Sequence, residues 1–367
     1  MRSCELLVVG GGPAGLCAAI NAAKAGAHVI VLERNPSIGG QLVKQTHMFF
    51  GSRKQHASTR GIDIVGILES EIAAMGDRIE ILASTTALGI YEDGVVTAMH
   101  REDKYVKFKP QAIVVATGAC EKALAFENND LPGIYGAGAV QTLMNVYGVS
   151  VGDSVVMVGA GNIGLIVSYQ LMQAGVNVEC ILDAAPRIGG YLVHASKVAR
   201  MGVPILTGHT VKRAIGREKL EAVEIVELDE RFKEIPGTES IVETDTLCIS
   251  VGLAPLTELL HMAGCKMRFV GQLGGLVPLK NDELMTSVDG LFVAGDTSGV
   301  EEASAAMVEG RIAGLCAAKK LGYVAEDFEE ELSDLKAQLE ALRSGPAGKH
   351  IRDGIAHTAL DVEAQYV

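Results

Sequence analysis

Short apolar runs bounded by glycine punctuate this chain, and they come in two matching sets. The first set opens with "LLVV" from Leu6 and passes a glycine-rich turn. A helical stretch then ends at Ala25-Gly26, and "VIVLE" closes on Glu33. The second set opens with "VVMV" from Val155, repeats the turn, and has a helical stretch ending at Ala174-Gly175. It finishes with "VECILD", closing on Asp183. Gly10 and Gly159 hold equivalent places 149 positions apart, and both copies run on into a proline and a glycine pair ("NPSIGG" and "APRIGG"). Continuous apolar runs cut off by glycine predict strands buried on both faces of a parallel sheet, so each copy reads as a βαβ unit.

Three more segments extend the pattern. "AIVVATGA" (112–119) predicts a buried strand ending in A-T-G, and "TLCISVGLAPLTELL" (246–260) is its counterpart in the second half. "MTSVDGLFVAGDTSGVEEASAAMVEG" (285–310) predicts a turn, a strand, G-D and a helix of small residues. Alternating stretches such as "IEILASTTALGIYEDGVVTAMH" and "LEAVEIVELDE" predict small antiparallel meanders. The fold class expected is α/β, with two Rossmann-like dinucleotide-binding domains, the second inserted in the first, and a C-terminal helical tail. The expected division is 1–121 and 249–325 for the first domain, 122–248 for the second, and 326–367 for the tail. In the tail, Leu332, Leu335, Leu339 and Leu342 form one stripe on an acidic helix. For this stripe, packing on its own domain and docking on another subunit both remain open. "IRDGIAHTALDVEAQYV" has no clear period and reads as a segment that orders in a complex.

Composition narrows the function. The 367 residues carry a net charge of −13, which disfavours nucleic acid and anionic membranes as partners. No apolar run approaches a membrane span, and the N-terminus reads as a first strand rather than a signal peptide. The seven cysteines, at 4, 17, 120, 180, 248, 265 and 316, include no C-x-x-C pair. This spacing argues against a disulfide framework, a metal site or a cysteine-ligated iron–sulfur cluster, and scattered thiols fit a reducing cytoplasm.

The glycines of the two turns have separate tasks. Gly10 and Gly159 make the tight turn, Gly12 and Gly161 let backbone approach a pyrophosphate, and Gly15 and Gly164 let the helix pack on the strand. The helix N-terminus offers N–H groups and a positive dipole end to phosphate. Glu33 and Asp183 come about twenty residues later, where a carboxylate can accept from ribose hydroxyls. Asp183, followed by Ala184 and Ala185, favours NAD over NADP, and Arg187 is the one nearby basic residue.

Together these motifs resemble the pyridine nucleotide-disulfide reductase group, over roughly residues 5 to 325. The resemblance implies an FAD site made by Gly10, Gly12, Pro13, Ala14, Gly15, Glu33, Arg34, Gly40 and Gln41. Ala116, Thr117 and Gly118 would close it, with Gly295, Asp296, Glu302 and Ala303 at the flavin end. It also implies an NAD(H) site made by Gly159, Gly161, Asn162, Ile163, Gly164 and Asp183. "GGQL" is similar to the thioredoxin reductase branch, but that family's cysteine pair is missing at both its usual places. The segment 131–164 resembles the FAD/NAD-binding subunits of heteromeric sarcosine oxidase, opine oxidase, dye-linked proline dehydrogenase and hydrogen cyanide synthase. That implies partner subunits, either an amine- or imino-acid-oxidising flavoprotein or an iron–sulfur protein.

Without a dithiol, a flavin here would exchange electrons directly, and the protein would supply position and electrostatics. Gln41 can hydrogen-bond the flavin. His47 is a candidate proton partner, with packing on Phe49 as the plainer role. Arg53, Lys54, His56 and Arg60 could draw a carboxylate or an acidic partner, or could form a solvated loop. Cys120 is a candidate redox thiol or a small core residue. Three functions are open: an electron-transfer subunit coupled to NAD(H), a self-sufficient NADH:acceptor oxidoreductase, and an amine- or imino-acid-dehydrogenase subunit with a structural second nucleotide.

Overall fold

The computed structural model describes residues 1–346 and 348–361. The chain divides into two compact units, one made of Met1–Cys120 with the segment from Ala254 onward, the other of Glu121–Leu253. The α-helices among the described residues are α1 (Pro13–Ala25), α2 (Gly61–Ala74), α3 (Ala137–Asn145), α4 (Asn162–Gln173), α5 (Leu192–Arg200), α6 (Glu258–Met262), α7 (Ala303–Lys320), α8 (Phe328–Leu342) and α9 (Lys349–Ile355).

In the first unit the parallel strands lie in the order Ile79–Leu82, Val29–Leu32, Arg2–Val9, Lys104–Val115, Leu291–Val293. The strand Lys104–Val115 serves two pairings. Its second half is parallel to Arg2–Val9 and Leu291–Val293, and its first half is antiparallel to Val96–His100, which pairs in turn with Thr85–Ile90. "IEIL" is therefore not the first arm of a meander, as its alternation suggested. It is the parallel edge strand, and its Ile79 belongs to the core beside α1. Backbone approach joins α1 to α7: a Cβ on Gly310 or Gly314 would lie 2.1 Å from the carbonyl oxygen of Ala14 or Ala18. Small residues four apart on both helices make this close packing possible.

The second unit repeats the plan. Ile205–Thr207, Asn177–Asp183, Ser154–Val158, Thr246–Ile249 and Ile134–Gly136 are neighbours in a parallel sheet. His209–Ile215, Ala222–Glu227 and Ser240–Glu243 form the expected antiparallel meander.

The leucine stripe of α8 faces its own unit. Phe328, Leu332, Leu335 and Leu339 are buried in the same core as α1 and α7, with Leu342 packed at its margin. Docking of this stripe on another subunit is thereby corrected. Polar contacts fix the same helix: Asn21 Nδ2 donates to Glu331 Oε1 at 2.9 Å and Lys54 Nζ to Asp334 Oδ1 at 2.9 Å. The segment after it is also ordered within this chain. Ile351 and Ile355 of α9 pack on Val270, Leu273 and Val277, and Lys280 N donates to Thr358 O at 2.8 Å. The expectation that the tail orders only in a complex is corrected for 351–361, while 362–367 lie outside the described residues.

Candidate nucleotide-binding sites

The two glycine turns have the same internal geometry. Gly10 and Gly159 have φ of +111° and +110°, and a Cβ on either would fall 2.2 or 2.1 Å from a carbonyl oxygen, that of Ala116 or Ser250. A Cβ on Gly15 or Gly164 would strike the carbonyl of Gly10 or Gly159 at 1.9 or 2.0 Å. Each turn is thus held against the neighbouring strand and against its own helix at distances that admit hydrogen alone.

In front of the helices there is room. The N-caps of α1 and α4 are Gly12 and Gly161, which have no side chain to occupy the first N–H groups. From Gly161 a Cβ would meet nothing within 4 Å, and from Gly12 only Gly40 Cα at 3.8 Å. Uncapped donors facing open space, at the positive end of a helix of twelve or thirteen residues, suit a pyrophosphate. Pro13 and Ala14 open α1, and Asn162 and Ile163 open α4. Asn162 Oδ1 accepts from Tyr191 N at 2.8 Å, which ties the second glycine pair to the turn.

Glu33 and Asp183 brace the turns from the strand ends. Glu33 Oε2 accepts from Gly11 N at 2.8 Å, and its Oε1 accepts from Asn35 N at 2.7 Å and Asn35 Nδ2 at 2.8 Å. Asp183 Oδ2 accepts from Ala160 N at 2.8 Å and Oδ1 from Ala185 N at 2.9 Å. A carboxylate oxygen has capacity for more than one donor, so a ribose hydroxyl can join these bonds. Glu33 is buried and Asp183 half-buried, whereas Arg34 and Arg187 are exposed.

Ala116, Thr117 and Gly118 are joined to the G-D segment by a residue that sequence reasoning passed over. Thr297 Oγ1 accepts from Gly118 N at 2.7 Å and lies 3.1 Å from Thr117 Oγ1. Gly118 has open space where a Cβ would be. Next to it, Asp296 Oδ1 accepts from Glu301 N at 3.3 Å, and burial pushes the Asp296 carboxyl up to about 7, helped by nearby Glu309 and Glu301. Gly295 N donates to Glu309 Oε2 at 3.0 Å. Glu302 precedes the first residue of α7, Ala303. The residues of the first unit fit a dinucleotide: a bare helix N-terminus, an open glycine, and a carboxyl held at the far end by its own loop.

The segment after the first glycine pair carries the remaining candidates. Gln41 is exposed, in a short 3-10 turn over Gly40–Lys44. His47 stacks on Phe49 with ring centroids 5.9 Å apart, which is the packing role foreseen as its plainer alternative. Arg53, Lys54 and Arg60 are exposed, but Lys54 is paired with Asp334, and burial with the Arg311 charge lowers the His56 pKa. Of the seven thiols Cys120 is the exposed one; Cys4 is half-buried and the rest buried.

The profile of a family described as pyridine nucleotide-disulphide oxidoreductase matches residues 4–310. The chain belongs to this family. An opine oxidase subunit of Rhizobium meliloti is 28% identical over 350 residues, covering 87% of this chain and 63% of that protein. The alpha chain of sarcosine oxidase from Rhizobium meliloti (strain 1021) is 28% identical over 333 residues, covering 87% of this chain and 31% of that protein. Among solved structures, L-proline dehydrogenase from P. horikoshii matches with a TM-score of 0.69 at 25% identity, covering 90% of this chain and 59% of that one. The chain therefore spans less than two thirds of the length of each of these three. Membership makes it an oxidoreductase of nucleotide-binding Rossmann type. The family's cysteine pair is missing from the sequence, which contains no C-x-x-C. No helix among the described residues is long and apolar enough to cross a membrane.

Proposed function

We propose that this chain is the FAD- and NAD(H)-binding subunit of a multi-subunit dehydrogenase. In this reading residues 1–121 and 249–325 hold FAD, and 122–248 hold NAD(H). The flavin, when bound, exchanges hydride with the nicotinamide and passes electrons on to a partner subunit that is an amine- or imino-acid-oxidising flavoprotein or an iron–sulfur protein. The observation that carries the reading is the doubled turn. Both α1 and α4 present uncapped N–H groups to open space, and each turn is braced by a carboxylate at the next strand end.

The chain's own residues have defined tasks. The N-termini of α1 and α4 hold the two pyrophosphates. Glu33 and Asp183 take ribose hydroxyls, and Asp183 repels a 2′-phosphate, so NADH is preferred to NADPH. Asp296, Gly295 and the start of α7 at Glu302 and Ala303 hold the flavin end of FAD. Gln41 and Gly40 lie beside the first turn, where Gly40 is packed against Gly12. Support for partner subunits comes from the relatives, which are named as subunits of opine and sarcosine oxidases.

The test is anaerobic titration of the FAD-loaded chain with NADH, followed in the visible flavin band, and then light scattering on material purified from its native source at low salt. The reading expects bleaching by NADH in preference to NADPH, together with co-purifying protein. Full-rate turnover with a simple acceptor by an isolated chain would favour a self-sufficient oxidoreductase. A flavin that NADH does not reduce would leave the second nucleotide a structural role.

A further inference from the structure

Four charged side chains from separate segments meet inside the first unit. Arg343, at the C-cap of α8, donates through Nε to Glu301 Oε2 at 3.0 Å and through Nη2 to Glu301 Oε1, and Nη2 also donates to Glu309 Oε1 at 2.6 Å. All three side chains are nearly enclosed, at 13%, 10% and 5% exposure for Arg343, Glu301 and Glu309. Lys280 completes the group, buried and donating through Nζ to Ser298 O at 3.0 Å. Arg343 stands four positions after Leu339 and directly after Leu342, the last residue of the apolar stripe, so it lies at the same inward edge of α8. The helix thus ends by placing a guanidinium inside the unit, next to its last leucine.

What the cluster grips is one short segment. Glu309 accepts the N–H of Gly295, the backbone of Glu301 donates to Asp296, and Lys280 holds the carbonyl of Ser298. Arg343 touches none of these backbone groups, yet it fixes the Glu309 carboxylate that accepts from Gly295 and anchors the side chain of Glu301, whose backbone N–H holds Asp296. A planar guanidinium can serve two carboxylates at once in set directions, which an ammonium cannot do. Without it, Glu301 and Glu309 are left as two buried carboxylates facing the single charge of Lys280, and a buried charge that loses its partner moves or takes up a proton.

We propose that Arg343 is a positioning residue for FAD, setting the place of Gly295 and Asp296 through Glu301 and Glu309. This rests on the proposal that the first unit binds FAD. It assigns a role in cofactor binding to a helix that lies beyond the two-domain pattern.

The experiment measures FAD dissociation constants of the full-length apoprotein by flavin fluorescence, for the wild type and for Arg343→Met, Arg343→Lys and Leu339→Ala. Arg343→Met is expected to weaken FAD by about tenfold or more, since one tenfold step is roughly the worth of a charged buried bond. Arg343→Lys, which keeps the charge and loses the fork, should recover part of that loss. Adding Glu301→Gln to Arg343→Met should also recover part, because it removes the uncompensated charge. Leu339→Ala loosens the same helix without touching the charges, so it should lower the melting temperature while changing FAD affinity less than Arg343→Met does. Should Arg343→Met fail to fold, Arg343→Lys alone decides, with a loss of about threefold expected. FAD binding within twofold of wild type by the folded arginine variant, or a larger loss from Leu339→Ala, overturns the proposal. A wild-type chain that binds no FAD overturns the underlying reading, and this inference with it.

Discussion

"IGGQLV" at 38–43 and "IGGYLV" at 188–193 differ at one position, yet Leu42 is wholly buried and Leu192 is 77% exposed. In both places one glycine of the pair bonds the turn, the first in one copy and the second in the other. Gly39 N donates to Gly11 O at 2.8 Å, and Gly190 N to Ala160 O at 2.9 Å, so each pair closes over its turn. The difference begins within the pair, where Gly39 and Gly40 have positive φ and Gly189 and Gly190 do not, and it widens downstream. After Val43 the chain forms a loop and returns as α2, whose Ile64, Val65 and Leu68 share a core with Leu42. After Gly190 it enters α5 directly, and that helix faces inward with His194, Ala195 and Val198, leaving 192 and 193 outside. A local motif specifies backbone contacts between neighbours; whether its side chains are buried is decided by the next element.

The strongest way to break the likeness of the two turns is to add one methyl group to each. Gly10→Ala and Gly159→Ala combine a positive φ with a Cβ about 2 Å from a carbonyl oxygen, and each is expected to cost more than about 4 kcal/mol. Under the proposed function the two should separate by ligand: Gly10→Ala loses FAD, and Gly159→Ala keeps FAD but loses bleaching by NADH. Thermal unfolding with absorbance of bound flavin checks both. Loss of FAD in both variants would mean that the turns do not serve different nucleotides.

The paired leucines come next. Leu42→Ala removes side-chain volume from a packed core and should cost about 3 kcal/mol. Leu192→Ala should change stability by less than about 0.5 kcal/mol, as surface substitutions usually do. Denaturation curves of the two variants test this directly, and equal losses would show that Leu192 is covered in solution.

The same contrast explains what could be read from the sequence. The βαβ units were legible because glycine, apolar run and acid occur in fixed order, and the steric need for each glycine is local. The α8 stripe was legible as a stripe, but not its target, because several surfaces would satisfy the same periodicity. Lys280, Glu301, Glu309 and Arg343 were not legible as a cluster, since no spacing connects residues brought together only by the packing of α7 and α8. One signal was present in the sequence. Glu309 sits in "AAMVEGRIAG", where nearly every neighbour on α7 is buried, and a lone acid in such a helix needs a buried partner. Thr297 gave no such signal.

A smaller effect separates the acids of the two turns. Asp183→Ala should narrow the preference for NADH over NADPH by about tenfold, or 1.4 kcal/mol, by removing the charge that opposes a 2′-phosphate. Initial rates of flavin reduction by both nucleotides measure it. Glu33→Ala should leave that ratio unchanged while weakening FAD, and a shift of the ratio by Glu33→Ala would contradict the assignment of the two units.

Asp296 makes the stability of the first unit depend on pH. Burial pushes its carboxyl up to about 7, above the ordinary 3.8, with Glu309 and Glu301 adding to the rise. Arg343 and Lys280 face the same two glutamates. A carboxyl raised on folding favours the folded state while protonated, so this contribution is full below about pH 4 and is lost as pH rises through 7. Melting temperatures of the ligand-free chain should therefore fall across that range, and Asp296→Asn should flatten the fall. An unchanged slope in the variant would place the titration elsewhere.

The smallest effect is expected at the thiols, and it returns to the likeness of the two helices. Cys17 lies two positions after the third glycine of the first turn, and the corresponding residue of the second is Ile166, so that place in the helix has no intrinsic need of sulfur. Burial raises the Cys17 thiol, and it pushes Cys4 and Cys180 up to about 11 and Cys316 up to about 12. Such thiols remain protonated at neutral pH and are poor nucleophiles. Cys120 is the exposed exception, with its Sγ 3.7 Å from Ala254 O. If electrons pass directly through the flavin, Cys120→Ser should change NADH-driven reduction by less than about twofold, well under one tenfold step in barrier height. Cys17→Ala should keep most of the activity as well, with a modest loss of stability from the small cavity it leaves. A loss of about a hundredfold in Cys120→Ser, equivalent to roughly 2.7 kcal/mol of barrier, would make this single thiol part of the reaction.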